Sequence, residues 1–116
     1  MELRQEVAGR YGKLLDVPGI TVPAVREGSL SAWAQYSLLS DRRDAILEGL
    51  KKAGVPTAVY YPKPLHLQGA YKYLGYRPGD FVVSELAAKK IFSLPMHPYL
   101  TEEDQCHIAD VIKGIL

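Results

Sequence analysis

Apolar positions along the chain recur in two rhythms. From Glu2 to Leu15, Leu3, Val7, Tyr11, Leu14 and Leu15 fall on one side, with Arg4, Glu6, Arg10 and Lys13 mostly elsewhere. That spacing predicts an amphipathic helix, which Val17-Pro18-Gly19 ends. Ile20 to Val25 is short, apolar and broken by proline, so it reads as an edge strand or extended linker, and Arg26-Glu27-Gly28-Ser29 as a turn. Ala32 to Leu39 alternates, with Trp33, Gln35, Ser37 and Leu39 on one face and Ala34, Tyr36 and Leu38 on the other, predicting a central strand. Arg42 to Ala53 returns to helical spacing through Ala45, Ile46, Leu47, Leu50 and Ala53. Ser40 and Asp41 are its cap candidates, Lys51 and Lys52 sit at its negative end, and Gly54 is its left-handed stop.

The second half repeats the alternation of elements. Pro56 to Tyr61 reads as a strand, Leu67 to Leu74 as a short helix, Gly75 to Asp80 as a turn, Phe81 to Lys90 as a helix and Ile91 to Leu94 as a brief strand closed by Pro95. Thr101-Glu102-Glu103-Asp104 is a helix start, Thr101 capping and Asp104 placed as in a capping box, and Ile108, Val111, Ile112 and Ile115 form the buried stripe that follows. Helix, strand, helix, strand, helix, strand, helix predicts an α+β fold: a small mixed or antiparallel sheet with helices packed on one face. At 116 residues this is a single domain, 1–116, long enough to bury a core without staples.

Composition narrows the function classes. A net charge of +1 gives no electrostatic case for nucleic acid or an anionic membrane surface. No apolar run is long enough to span a bilayer and the N-terminus is charged, so the default location is the cytoplasm. The single cysteine, Cys106, excludes an internal disulfide and fits a reducing compartment. His66, His97 and His107 lack metal-ligand spacing, so no metal site is expected. No glycine-rich phosphate loop and no Gly-x-Ser-x-Gly nucleophile motif occurs. Eight tyrosines against two phenylalanines point to surfaces apolar on one side and wet on the other.

The chemistry-bearing stretch is Val59-Tyr60-Tyr61-Pro62-Lys63-Pro64-Leu65-His66-Leu67-Gln68. Two prolines halt the strand, each removing a backbone donor, and tyrosines, a lysine and a histidine cluster at the break. Such a strand end is a common ligand site; the plainer alternative is a turn with tyrosines half-buried beneath it. A lysine that forms a Schiff base must be desolvated or otherwise depressed in pKa. Lys13, Lys51, Lys52, Lys89, Lys90 and Lys113 sit at charged or terminal helix positions, and Lys72 in a tyrosine-rich turn. Only Lys63 is near the candidate site, and no carboxylate neighbours it in sequence. The chain therefore reads as part of a site, with no catalytic residue of its own.

Ser31-Ala32-Trp33-Ala34-Gln35-Tyr36, Arg43-Asp44, the run Ala53 to Gln68, and Leu94-Pro95-Met96-His97-Pro98-Tyr99-Leu100-Thr101-Glu102-Glu103-Asp104-Gln105 together resemble the C-terminal part of nucleotide-sugar aminotransferases of the DegT/DnrJ/EryC1/StrS type. The resemblance implies the small C-terminal domain of the type I pyridoxal-phosphate aminotransferase fold, without the large domain that carries the cofactor and its lysine. It implies a parent enzyme that works as a homodimer. That enzyme passes an amino group, usually from glutamate, to a nucleotide-linked keto-sugar for cell-surface polysaccharide or glycosylated products. Relatives often have His-Tyr-Pro where this chain has Tyr60-Tyr61-Pro62, so the resemblance places Tyr60 and Tyr61 near the sugar-nucleotide, with Lys63 and His66 as further members. It implies no catalytic or cofactor-binding residue here, and a fragment inactive by itself. The alternative is a stand-alone, non-catalytic module that binds a nucleotide-sugar or a protein. The fragment reading predicts an exposed apolar patch at the Glu2–Leu15 helix or the Tyr60–His66 region, the face that meets the large domain.

Overall fold

The computed structural model describes residues 2–116. Four α-helices, α1 (Glu2–Leu14), α2 (Arg43–Lys52), α3 (Val82–Lys90) and α4 (Glu102–Ile115), surround a two-stranded antiparallel sheet of β1 (Tyr36–Leu39) and β2 (Ile91–Leu94). The register pairs Tyr36 with Leu94 and Leu38 with Phe92 on one face, and Ser37 with Ser93 and Leu39 with Ile91 on the other. The apolar face closes the core: Tyr36, Leu38, Phe92 and Leu94 pack with Val7, Tyr11 and Leu15, with Ile46 and Leu50, and with Ile108, Ala109 and Ile112. Helical period and strand period thus meet on one apolar surface, as the α+β reading required.

Three predicted elements are shorter or different. The strand expected over Ala32–Leu39 begins only at Tyr36, because Trp33 turns the chain with φ 50°. That left-handed turn is heavily supported: Arg4 Nη1 donates to the Trp33 carbonyl (2.8 Å), the indole N–H donates to Gln5 Oε1 (3.1 Å), and the Trp33 amide donates to Ser31 Oγ (3.2 Å). The Pro56–Tyr61 strand reduces to one bridge, where Ala58 and Ser93 exchange both backbone bonds (3.2 and 2.8 Å). Thr21 does the same with Leu39 at the opposite edge, so the Ile20–Val25 segment is mostly linker. Proline at 56 and 62 and at 18 and 23 removes the donors that longer ladders would need. The Leu67–Leu74 helix is replaced by two 3-10 turns, Leu65–Leu67 and Gly69–Leu74.

Capping follows the sequence at one helix and departs at another. Thr101 Oγ1 accepts the Asp104 amide (3.1 Å) at the start of α4. At α2 the N-cap is Arg42, which has no side-chain cap bond; Ser40 Oγ instead accepts the Arg42 amide (3.1 Å) and donates to the Gly19 carbonyl (2.7 Å). Two core features carry polar atoms. Tyr11 and Tyr36 stack at 4.8 Å, and burial pushes both hydroxyl pKa values up, that of Tyr36 to about 12, so they are neutral core groups. Gln105 is fully buried between α4 and α1, its amide donating to the Val7 carbonyl (2.8 Å) while its oxygen accepts from Arg10 Nε.

The segment from Tyr60 to Leu86 contributes no residue to this core. The radius of gyration, 15.6 Å, exceeds the roughly 13 Å of a compact chain this long, consistent with a projecting segment. It carries the candidate site.

Candidate functional site

Ser93 holds Ala58 against the sheet edge, and three residues later the chain is free of it. There Tyr61 takes φ 56°, a left-handed conformation that costs a non-glycine residue about 1–2 kcal/mol. Unlike Trp33, Tyr61 makes no hydrogen bond among the described residues, and its ring is 76% exposed. Tyr60 edges a groove of about 230 Å³ with Gln35, Thr57, Ser93, Pro95 and Met96. Gln68 Nε2 donates to the Lys63 carbonyl (3.2 Å), closing the loop over Pro64.

His66 leaves the loop inward, and its side chain is only 7% exposed. Its ring meets Phe81 edge-on at 4.8 Å and Tyr76 at 6.3 Å, and Tyr76 and Phe81 meet at 4.9 Å. His66 Nε2 lies 3.4 Å from Glu85 Oε2, an ion-pair distance without hydrogen-bond geometry, so this buried nitrogen has no hydrogen-bond partner. Glu85 is spent on the backbone: its two oxygens accept the Gly79 amide (2.8 and 2.9 Å), and one also accepts that of Phe81 (3.3 Å). The Gly79 amide, then the Phe81 amide and His66, hold its carboxyl below the usual 4.5, against the opposing effect of desolvation. Gly79 sits at φ 94°, where a side chain would be strained. One carboxylate at the start of α3 therefore ties the returning turn and faces the buried imidazole.

His66 separates two recesses. An apolar cup of about 310 Å³ is lined by Leu65, Tyr71, Leu74, Tyr76, Phe81 and Ser84 as well as His66. A cleft of mixed polar and apolar lining, about 320 Å³, lies between Lys63, His66, Leu67, Gln68, Gly69, Lys72 and Tyr76. Of the four residues singled out by sequence, Lys63 and His66 thus share one recess, Tyr60 edges another, and Tyr61 stands exposed between them in sequence.

The sequence profile described as the DegT/DnrJ/EryC1/StrS aminotransferase family matches residues 1–113. The chain belongs to that family. It is 43% identical over 98 residues to a UDP-2-acetamido-2-deoxy-3-oxo-D-glucuronate aminotransferase of Pseudomonas aeruginosa, covering 84% of this chain and 26% of that protein. Among solved structures, a DegT DnrJ EryC1 StrS aminotransferase from Brucella abortus superposes with TM-score 0.89 at 48% identity, over 97% of this chain and 30% of its own. DesV of Streptomyces venezuelae, solved in complex with a ketimine intermediate, gives TM-score 0.91 at 27% identity, over 97% and 31%. The chain therefore spans under a third of the length of these family members.

Within the DegT/DnrJ/EryC1/StrS framework the lysines are informative. Lys13, Lys51, Lys52, Lys63, Lys72, Lys89 and Lys113 are exposed, and the half-buried Lys90 is paired with Asp41 at 2.8 Å. None has the desolvated setting that a Schiff base demands. An apolar patch was expected on α1 or at Tyr60–His66; Val7 and Tyr11 of α1 are fully buried, and the exposed apolar side chains fall mostly beyond His66. The exposed apolar side chains of this segment include Leu65, Tyr73, Leu74, Phe81, Val82, Val83 and Leu86, with Val83 83% exposed. Sequence reading did not single out Glu85, Lys72 and Tyr76, and gave Gln68 only as the end of the chemistry-bearing stretch. Glu85 was detectable as an acid in the first turn of a helix after Gly79-Asp80; the rest needed the fold of the two 3-10 turns.

Proposed function

We propose that this chain is the C-terminal small domain of a pyridoxal-phosphate-dependent aminotransferase acting on a nucleotide-linked keto-sugar, and that the chain alone does not transfer the amine. The observation that carries this reading is the concentration of exposed apolar side chains between Leu65 and Leu86, in a chain spanning under a third of its relatives' length. Exposed apolar side chains concentrated on one segment mark an interface, and the partner they fit is the larger lobe of the same enzyme. Pyridoxal phosphate, when bound, supplies the electron sink for amine transfer. The residues of this chain do not fit it, because every lysine is solvated or ion-paired, so the cofactor and its lysine belong to the larger lobe.

The chain's own contribution is substrate contact. Tyr60, Tyr61, Lys63 and His66 face the nucleotide-sugar, the tyrosine hydroxyls donating to phosphate or sugar oxygens. The strain at Tyr61 supports this: an unsupported left-handed residue with an exposed ring is retained for what the ring touches, not for the fold. The complete enzyme is a cytoplasmic homodimer taking its amine from an amino acid such as glutamate, for polysaccharide or glycoside synthesis. The continuous core favours a second reading, a self-sufficient module that binds nucleotide-sugar without chemistry.

Mixing the chain with pyridoxal phosphate tests the first reading. The expected result is no stoichiometric cofactor–lysine absorbance; a specific linkage at Lys63 with turnover overturns it. Calorimetric titration with UDP- and dTDP-sugars separates the second: tight binding by the isolated chain favours the module, and absent binding the fragment.

A further inference from the structure

His66 joins the loop of Tyr60 and Tyr61 to α3 at a contact that needs charge. Its side chain is 7% exposed and that of Glu85 18%, and Nε2 and Oε2 stand 3.4 Å apart. Nε2 is buried without a hydrogen-bond partner, a costly state for a neutral imidazole. A protonated ring at this distance gains an ion pair instead. The rings of Phe81 (4.8 Å) and Tyr76 (6.3 Å) flank it and keep out the water that would weaken the pair. The amides of Gly79 and Phe81 hold Glu85 ionised, so its charge persists below the ordinary carboxylate range. Lys63 and Lys72 line the cleft that His66 walls and oppose a further positive charge. Both lysines are exposed and screened by water, so the carboxylate in contact outweighs them. Tyr76 is the remaining titratable neighbour, and Asp80 is engaged by the Arg77 amide (2.7 Å). The same cleft opens His66 to solvent, with which it exchanges its proton.

A shift at His66 reaches the exposed end of the loop. Pro62 and Pro64 fix φ at two of the four positions between Tyr61 and His66, and Gln68 Nε2 donates to the Lys63 carbonyl (3.2 Å). We propose that His66 and Glu85 form a proton-dependent latch, which holds the Tyr60–Gln68 loop against α3 when His66 is protonated and releases it when His66 is neutral. Glu85 is then a positioning residue for Tyr61 and Lys63, acting through His66. The latch is closed at the acid end of the histidine range, about pH 5 to 8, and opens as pH rises through it. Its bearing on substrate rests on the nucleotide-sugar reading; the latch itself does not.

Nitrogen-15 relaxation of the chain across about pH 5 to 8 tests this, read as backbone order parameters at Tyr61, Lys63 and Leu65. They should be near the rigid value of about 0.85 at the acid end and below about 0.6 at the alkaline end. Order reports motion and not the field of a titrating ring, so a histidine that only fills space leaves the profile flat. His66→Gln and Glu85→Gln, each uncharged, should abolish the pH dependence; the second keeps an acceptor for the Gly79 amide. His97→Gln and His107→Gln, at exposed histidines of a separate groove, should retain it. A thermal melt checks that each variant folds, and the wild-type profile decides alone where one does not. A flat wild-type profile, a loop that becomes more ordered as pH rises, a dependence that survives either uncharged variant, or one lost in a control overturns the proposal. No ligand enters the measurement. A flat profile therefore leaves the nucleotide-sugar reading standing, and a failure of that reading leaves the latch.

Discussion

Replacing Tyr61 by glycine should leave the fold as stable as before or slightly more so, while the same change at Trp33 should damage it. Both residues hold left-handed backbone, φ 56° and 50°. Glycine removes a conformational cost of about 1–2 kcal/mol at either position. It adds about 0.5–1 kcal/mol of backbone entropy to be lost on folding. At Tyr61 little else changes, because the residue is 76% exposed and makes no hydrogen bond among the described residues, so the net effect is about 0 to 1.5 kcal/mol of stabilisation. At Trp33 the ring packs against Tyr36 at 5.5 Å and its indole N–H holds Gln5. Large aromatic truncations cost about 3–5 kcal/mol when buried, so a half-buried tryptophan should lose about 2 kcal/mol net. Thermal unfolding resolves this, at about 4 °C per kcal/mol for a chain of this size. A fall of several degrees for Tyr61→Gly would refute the view that the ring is held outward for a ligand, and would show that it stabilises the fold. Equal effects at the two positions would refute the contrast between supported and unsupported strain.

Two further outcomes test the scaffold. Gln105→Ala leaves the buried Val7 carbonyl and the Arg10 side chain without their partner, and should cost about 1–3 kcal/mol in denaturant unfolding, well beyond a surface substitution. Glu85 has its carboxyl pKa lowered in the fold, so its contribution is present above its ordinary 4.5 and is lost as pH falls through the lower folded value. Amide-exchange protection at Gly79 and Phe81 should therefore collapse in the wild type only as pH falls below the ordinary 4.5, and be weak at every pH in Glu85→Ala; protection that ignores pH would show that the carboxylate is not what holds the turn.

What could be read from the chain alone was whatever depends on local period and local chemistry. The stripe Val7, Tyr11 and Leu15, the stripe Ile108 and Ile112, the Thr101 cap and the Gly54 stop all follow from a repeat near 3.6 residues and from end groups that need partners within one turn. The strand-ending prolines after Tyr61 marked the loop for the same reason. The lengths of the strands were not legible, because Ala32–Gln35 alternates as well as Tyr36–Leu39 does; Arg4 and Gln5, far away in sequence, donate to the Trp33 and Ser31 carbonyls that a ladder would have used. The site divided in the same way. Lys63 and His66 were nameable from their place at a proline-broken strand end. That His66 is buried against Phe81 with its nitrogen facing Glu85, and that Lys72 comes round to share its cleft, depends on two 3-10 turns and a helix closing on each other. Burial and charge pairing are properties of proximity in space, and only tertiary packing determines which distant side chains meet.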